Sequence, residues 1–502
     1  MTHLLAMNNM IKKISIIWIL GLLFVIKVTA QVAVAKKVWI EGHAFEDKNN
    51  NGLLDKGEKR LSKIRVSNGI DVISTDKAGA YSFEAKIGQS IFSITPSEYV
   101  WAKQKKIGNA NAYYLNPNHT IPDTLVFDIP LRKRKNIPLE FNIAAIGDVQ
   151  VSDQEELGFA AKSIFSELIG RKDIDFNLVL GDLVNNNMEI LPDVGKMIDA
   201  LPMSSYTMVG NHDRNVANPD YMNDRFNTVF GADNYAFNYG HVHFIVLNNV
   251  FPTGKNSYEG RLTDDQLTFL KNDLSYIPKD ALVVLSQHIP MAFTRNRTDV
   301  LQLLADYKNV LILSGHTHQV DRYFFNNKAI QELGAGATCG NWWRGEKDAK
   351  GVPEARMLCG SPRGYFVINI KNNSYSFQFK AVDQDAKKQM HIAVRAGVLL
   401  ANVFGAADST NVMVQINDGE WVQMRKSKSV DPFVSDIIEK NNHKIYPTLG
   451  STANPLRKRT SGHLWEFPLQ KVNGDRIKVI RIKAEDNYGF SVQNEFTEFF
   501  SQ

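Results

Sequence analysis

Cysteine is nearly absent: Cys339 and Cys359 are the two in a chain of 502 residues. Outside the cytosol they can form one bond, which would close a loop holding Trp342, Trp343 and Arg344. Spacing leaves the bonded and free forms open, because bonding depends on Cα separation and Cβ direction. Strong charge of either sign is also missing. The net charge is +5, and Lys12, Lys13 and Lys27 supply three of those charges within a first thirty residues that carry no acid. No basic stripe remains to mark a nucleic-acid binder, so no such partner is expected. The apolar run Ile14 to Ile26 is shorter than the ~20 residues that span a bilayer. It follows Lys12 and Lys13 and precedes the small residues Val28, Thr29 and Ala30, the pattern of a signal peptide over 1–30 cut after Ala30. No cysteine near that cut offers a lipid anchor. An exported protein is expected, periplasmic or secreted, with no stable membrane span after cleavage. Low-complexity tracts and sustained repeats are absent. The apolar and charged shares, 44% and 22%, are those of a globular chain, and its length implies two to four domains.

Residues 37–134 show short alternating runs broken by Gly, Asn and Pro, such as Ile64 to Val66, Val72 to Ser74 and Tyr81 to Phe83. They predict a small β-sandwich. Within it, oxygen-bearing Asp47, Asn49, Asn51, Asp55 and Glu58 hold positions 1, 3, 5, 9 and 12 of a twelve-residue loop, with Gly52 at 6 and Leu53 at 7. That is the spacing of a calcium loop, in which Gly makes the sharp turn and the last Glu binds through both oxygens. One structural calcium is the expectation; a solvated Asx-rich turn is the alternative. The stretches Gly42 to Phe45, Val66 to Gly69 and Thr75 to Tyr81 resemble the pre-albumin-like or Cna-B-like sandwiches of secreted bacterial proteins. The basic run Leu131 to Lys135 reads as a solvated linker.

From 135 to 382, strands and helices alternate, which argues for an α/β layered core. Strands are expected at Phe141–Ile146, Phe176–Leu180, Tyr206–Val209, Ala281–Ser286 and Val310–Leu313. A helix over Glu155–Ile169 carries apolar residues on one face. Thr263 and Gln266 form a capping box that opens another helix. Each of five strands closes on a chemical group: Gly147, Asp148 and Gln150; Gly181 and Asp182; Gly210, Asn211, His212 and Asp213; Gln287 and His288; Gly315, His316 and His318. Open α/β sheets place ligands at such carboxyl ends. Carboxylate, amide and imidazole donors suit transition metals such as Mn, Fe, Zn or Co better than calcium. The preceding glycines are expected to allow tight turns that aim these groups inward.

In order, the five segments resemble the calcineurin-like metallophosphoesterase superfamily. The resemblance implies a core of helices flanking a β-sandwich and hydrolysis of phosphate esters by a hydroxide bridging two divalent cations. One cation would take Asp148, Gln150, Asp182 and His318; the other Asp182, Asn211, His288 and His316. His212 would act as acid or oxyanion stabiliser, oriented by Asp213. Gln150 stands where many members carry His, which favours Mn or Fe(II) over Zn at the first position. The substrate would be a small phosphorylated molecule. Two rival readings stand beside this: a diphosphatase or phosphodiesterase of nucleotide conjugates, and a non-catalytic surface binding protein.

Residues 330–364 are rich in Gly and Trp, and Trp342, Trp343 and Arg344 are candidates for stacking on a sugar or base. A packed wedge between domains is the competing reading. Arg295 and Arg297 are weighed as phosphate contacts against a solvated loop, and His241 and His243 are read as structural. Alternating runs at Tyr365–Ile370 and Tyr375–Lys380 form a hairpin. Residues 385–502 read as a second β-sandwich. This layout, a catalytic core with β-domains on both sides, is also similar to an exported branch of the superfamily.

Overall fold

Two mixed β-sheets face each other at the centre of the fold, and helices cover both outer faces. The computed structural model describes residues 36–102, 107, 111–445, 450–469 and 477–497. The segment read as a signal peptide lies outside them. Among the described residues no helix is long and apolar enough to cross a membrane.

The first central sheet runs Ser204–Thr207, Phe176–Val179, Glu140–Ile146, Gly364–Lys371, Ser374–Ala381. Its first three strands are parallel, with Ile146 opposite Val179 and Val179 opposite Thr207. The second runs Tyr235–Tyr239, Val242–Val246, Leu282–Ser286, Asn309–Ser314, Ile330–Ala335, Val320–Phe325. The period of two along Glu140–Ile146 sorts its side chains. Ile143 and Ala145 enter the core shared by the two sheets, whereas Ala144 and Ile146 pack under helices. Phe176 is the aromatic hub of the shared core, within 5.1–6.2 Å of the Phe141, Tyr206, Phe237, Tyr239 and Phe244 rings. Such a burial contributes about 1.5–3 kcal/mol.

The expected helix after Asp148 spans Gln154–Ala160, a π-helical turn Ala161–Phe165, and Ser166–Gly170. Asp153 is its N-cap, accepting from the Glu156 amide at 2.9 Å. The capping box at Thr263 and Gln266 is present and opens the helix Asp264–Leu274. The strand expected at Tyr206–Val209 lies two residues earlier, at Ser204–Thr207. Met208 and Val209 remain buried although they have left the strand. Hydrophobicity marks burial here, whereas pairing with the neighbouring strand sets where the element ends.

The amino-terminal strands form sheets around their own core, which includes Val38, Ile40, Val66, Phe83, Ile91 and Leu131; Leu131 lies in the paired strand Ile129–Lys133, so the basic run begins inside the sheet and not in a solvated linker. They meet the helix Asp264–Leu274 through Phe92 against Phe269, at 5.9 Å, and through Arg65, 3.3 Å from Asp273. His243 completes that contact with Nε2 2.6 Å from Asp273, a structural role, whereas His241 is exposed. The carboxyl-terminal strands fall in two four-stranded sheets. They continue the central core through Phe379 against Phe404 and Phe377 against Phe490. A helix, Pro432–His443, interrupts what was read as strands alone; Asp431 caps it and Pro432 starts it.

Candidate metal centre

The five strand ends converge. Asp182, His288 and His316 bring one ligand atom each to within 4.8 Å of one another, the one such group among the described residues. They come from three separate loops of the two facing sheets. Nε2 of His288 lies 3.4 Å from Asp182 Oδ2 and 3.0 Å from Asn211 Oδ1. Nε2 of His318 lies 3.2 Å from Asp148 Oδ2, an oxygen buried without a hydrogen bond. The His316 ring sits 5.1 Å from the His288 ring. Gln150 joins this cluster through its backbone, donating its N–H to Asp182 O at 2.7 Å.

Backbone carbonyls set which imidazole nitrogen faces inward. His288 Nδ1 meets Leu180 O at 2.8 Å, and His318 Nδ1 meets Gly340 O at 2.7 Å. Nδ1 of each ring therefore faces a carbonyl and leaves Nε2 facing the cluster, the orientation of metal-binding histidines. The loops carry strain: Gln150, Asp182, His316 and His318 have φ of 43, 49, 72 and 51°. Side-chain-bearing residues seldom take that region, and they cluster at functional sites when they do. The expectation about glycines is corrected here. Only Gly181, at φ 86°, takes a positive φ; Gly147, Gly210 and Gly315 do not. Those three serve close approach instead. A Cβ on Gly210 would lie 2.1 Å from Asp182 N, and one on Gly147 2.0 Å from Gly336 O. Gln150, Asp182, His316 and His318 themselves make left-handed turns.

Charge follows geometry. Burial alone would raise the Asp182 carboxyl, but His288 and then His212 hold it below the usual carboxylate range. Burial works against protonating His288, yet Asp182 pushes it up to about 9. Burial and the His288 charge push His316 down to about 4. A proton on His288 thus stands where a cation would bind, and cation binding releases it.

Asp213 does not reach the His212 ring, contrary to expectation. One of its oxygens accepts from the amides of Leu183 and Val184 and the other from Gly210. The turn closed by Asp213 N and Gly210 O points the carboxylate inward, where three amides would otherwise be orphaned. It braces the ligand loops. His212 donates its backbone N–H to Asp182 Oδ1 at 2.9 Å, and its Nδ1 is buried without a partner.

The Trp pair divides. Trp342 is 42% exposed and its ring lies 5.2 Å from that of His318. Trp343 is 2% exposed, packs on Phe159 and donates to Val149 O, so it is core and not a substrate contact. Arg344 is exposed. Both cysteines are buried and free, which settles the open question of their bonding; Cys339 Sγ lies 3.7 Å from Gln150 Oε1. Arg295 pairs with Glu259 at 3.0 Å and Arg297 donates to Ala292 O, and both are exposed. Asn185 and Asn187 tie down Ser152. The sequence reading missed Arg214 and Tyr258: the guanidinium lies 5.2 Å above the Tyr258 ring, itself 6.1 Å from the His316 ring. A cation directly after Asp213 was the signal available.

In the amino-terminal loop, Asp47 is buried and accepts from the amides of Asn51 and Gly52. Asn49 and Asn51 both reach Asp55, Glu58 accepts from the amides of Lys48 and Asp55, and Leu53 is exposed.

Three sequence profiles match this chain. "Calcineurin-like phosphoesterase" matches 141–320, the amino-terminal domain of such proteins 48–127, and their carboxyl-terminal domain 332–491. A comparison with curated proteins yields no match. Among solved structures, GAP50, the anchor in the inner membrane complex of Plasmodium, is 16% identical with a TM-score of 0.32, over 49% of this chain and 85% of that one. The purple acid phosphatase PPD1 of yellow lupin is 12% identical with a TM-score of 0.36, over 64% and 69%. The phosphopantetheinyl hydrolase of Mycobacterium tuberculosis is 14% identical with a TM-score of 0.27, over 40% and 90%.

Proposed function

The chain belongs to the calcineurin-like phosphoesterases, metal-dependent phosphoric ester hydrolases, and from that premise we propose that it works with two divalent cations on small phosphate esters. The observation that carries this reading is the convergence of Asp182, His288 and His316 from three loops. Asp148, Gln150, Asp182 and His318 would hold one cation; Asp182, Asn211, His288 and His316 the other. The residues fit: His288 and His318 are backed by carbonyls, and Asp148 Oδ2 is buried without a hydrogen bond. When bound, such a pair supplies Lewis-acid charge at the phosphoryl oxygens and lowers the pKa of a water. The amide oxygen of Gln150 is a weaker donor than imidazole, which favours Mn or Fe(II) beside Asp148. His212 offers Nε2 to the phosphoryl or leaving oxygen. Asp213 fixes the loops that carry Asp182 and Asn211.

The test is a panel of chromogenic phosphomonoesters and diesters with chelated and Mn-reloaded protein. Hydrolysis returns with Mn. No more product than a His212→Ala control would defeat the reading in favour of a binding protein. Trp342, exposed beside His318, favours a substrate that carries a planar group, as a nucleotide conjugate does. Equal rates on nucleotide conjugates and simple aryl esters would remove that second reading.

For the amino-terminal loop we keep one structural calcium, supported by the spacing and by Asp47 gathering the loop around itself. Calcium then raises the melting temperature of the wild type above that in a chelator, and Asp47→Asn abolishes the difference. An equal melting temperature with and without calcium would dismiss the site.

A further inference from the structure

Arg214 stands beside the metal centre without a role in it. It is 5% exposed. Nε donates to the Asn211 carbonyl at 3.2 Å, and Nη1 has only the Met222 thioether at 3.9 Å. Among the described residues, no carboxylate pairs with the guanidinium within 4.0 Å, although a guanidinium stays charged when buried. Buried charges are ordinarily paired, and breaking such a pair is costly. A bound anion would supply the direct ion-pair partner that these neighbours do not. The position says where the anion sits. Arg214 is tied to Asn211 and lies over Tyr258, whose ring neighbours His316. These contacts put the guanidinium at the edge of the cluster.

We propose that Arg214, held by the Asn211 carbonyl and the face of Tyr258, binds an oxygen of a terminal phosphate and so selects phosphomonoesters over phosphodiesters. This rests on the reading of the cluster as a phosphoesterase site. A terminal phosphate has three non-bridging oxygens and a diester two. A cation beside a site that already engages two of them therefore favours the monoester. Its planar fork suits that contact better than an ammonium group does. Tyr258 keeps the fork in one plane through a cation–π contact.

The experiment uses the full chain loaded with Mn, comparing wild type, Arg214→Met, Arg214→Lys and Tyr258→Leu. A chromogenic monoester and diester are assayed, inorganic phosphate binding is followed by calorimetry, and metal content is measured. In Arg214→Met the ratio of monoester to diester kcat/KM falls roughly ten- to a hundred-fold, and phosphate binding weakens similarly. Arg214→Lys falls between, and Tyr258→Leu loses part of the ratio. An unchanged ratio with unchanged phosphate affinity overturns the proposal. So does loss of metal together with activity, which would mean that Arg214 acts by holding Asn211. If Arg214→Met does not fold, the lysine and Tyr258 variants carry the same comparison. A fully loaded wild type that hydrolyses neither ester refutes the phosphoesterase reading instead, while phosphate calorimetry still reports on Arg214.

Discussion

His212→Ala lowers kcat for phosphate ester hydrolysis by about 10²–10⁴-fold and leaves the metal content unchanged. The expectation comes from what His212 does and does not touch. Its backbone N–H anchors Asp182 Oδ1, a contact that alanine keeps. Its ring lies among the ligand side chains without joining them, and Nδ1 is buried without a partner. Burial chiefly lowers its pKa, and the charge of Asp182 only partly restores it. At neutral pH the ring therefore acts as a neutral N–H donor to a developing oxyanion, a form other enzymes use to polarise substrates. His212→Asn, which retains a donor, recovers part of the rate. A kcat equal to wild type, or a drop explained by lost metal, would refute the role. The first outcome would leave the reaction to the cations alone, and the second would make His212 a ligand.

Glu332→Gln gives a gain in stability that depends on pH. Glu332 lies on the strand Ile330–Ala335 and is fully buried. Oε1 accepts the Met291 amide at 2.8 Å, just beyond His288, while Oε2 and the Ser314 hydroxyl are buried without hydrogen-bond partners. Burial pushes its carboxyl up to about 7 against an ordinary 4.5, with the Met291 amide opposing. The sign follows from proton counts. Between those two values the folded protein binds more protons than the unfolded one, so stability falls as pH rises through that window. Below about 4.5 both states are protonated and nothing is lost; above about 7 the loss is complete, at about 3 kcal/mol. Glutamine stays neutral, keeps the Met291 contact and brings a donor toward Ser314. Urea unfolding of metal-free protein should show the variant gaining about 2–3 kcal/mol over wild type at pH 8 relative to pH 5. Parallel stabilities at the two values would show that Glu332 titrates normally.

The family and the convergence of Asp182, His288 and His316 were legible because their signals are local. Each of five short apolar runs ends at a glycine or a polar residue, then a donor, and a strand end fixes where such a residue stands. The burial alternation along Glu140–Ile146 and the Thr263–Gln266 cap are equally local. What was not legible depends on partners distant in the chain. Trp342 and Trp343 are adjacent in sequence, yet one faces the site and the other the core, because Val149 and Phe159 claim the second.

By itself the sequence determined which donors exist and that each follows a buried apolar run, since side-chain chemistry and hydrophobic period are carried by neighbouring residues. Only the tertiary structure decided where each donor points. Asp213 turned to three amides from two loops, His288 and His318 took their ring orientations from distant carbonyls, and Arg214 was left beside the centre with no paired carboxylate among the described residues. Side-chain direction after a turn is set by the hydrogen bonds and packing that burial demands, and those partners come from elsewhere in the fold.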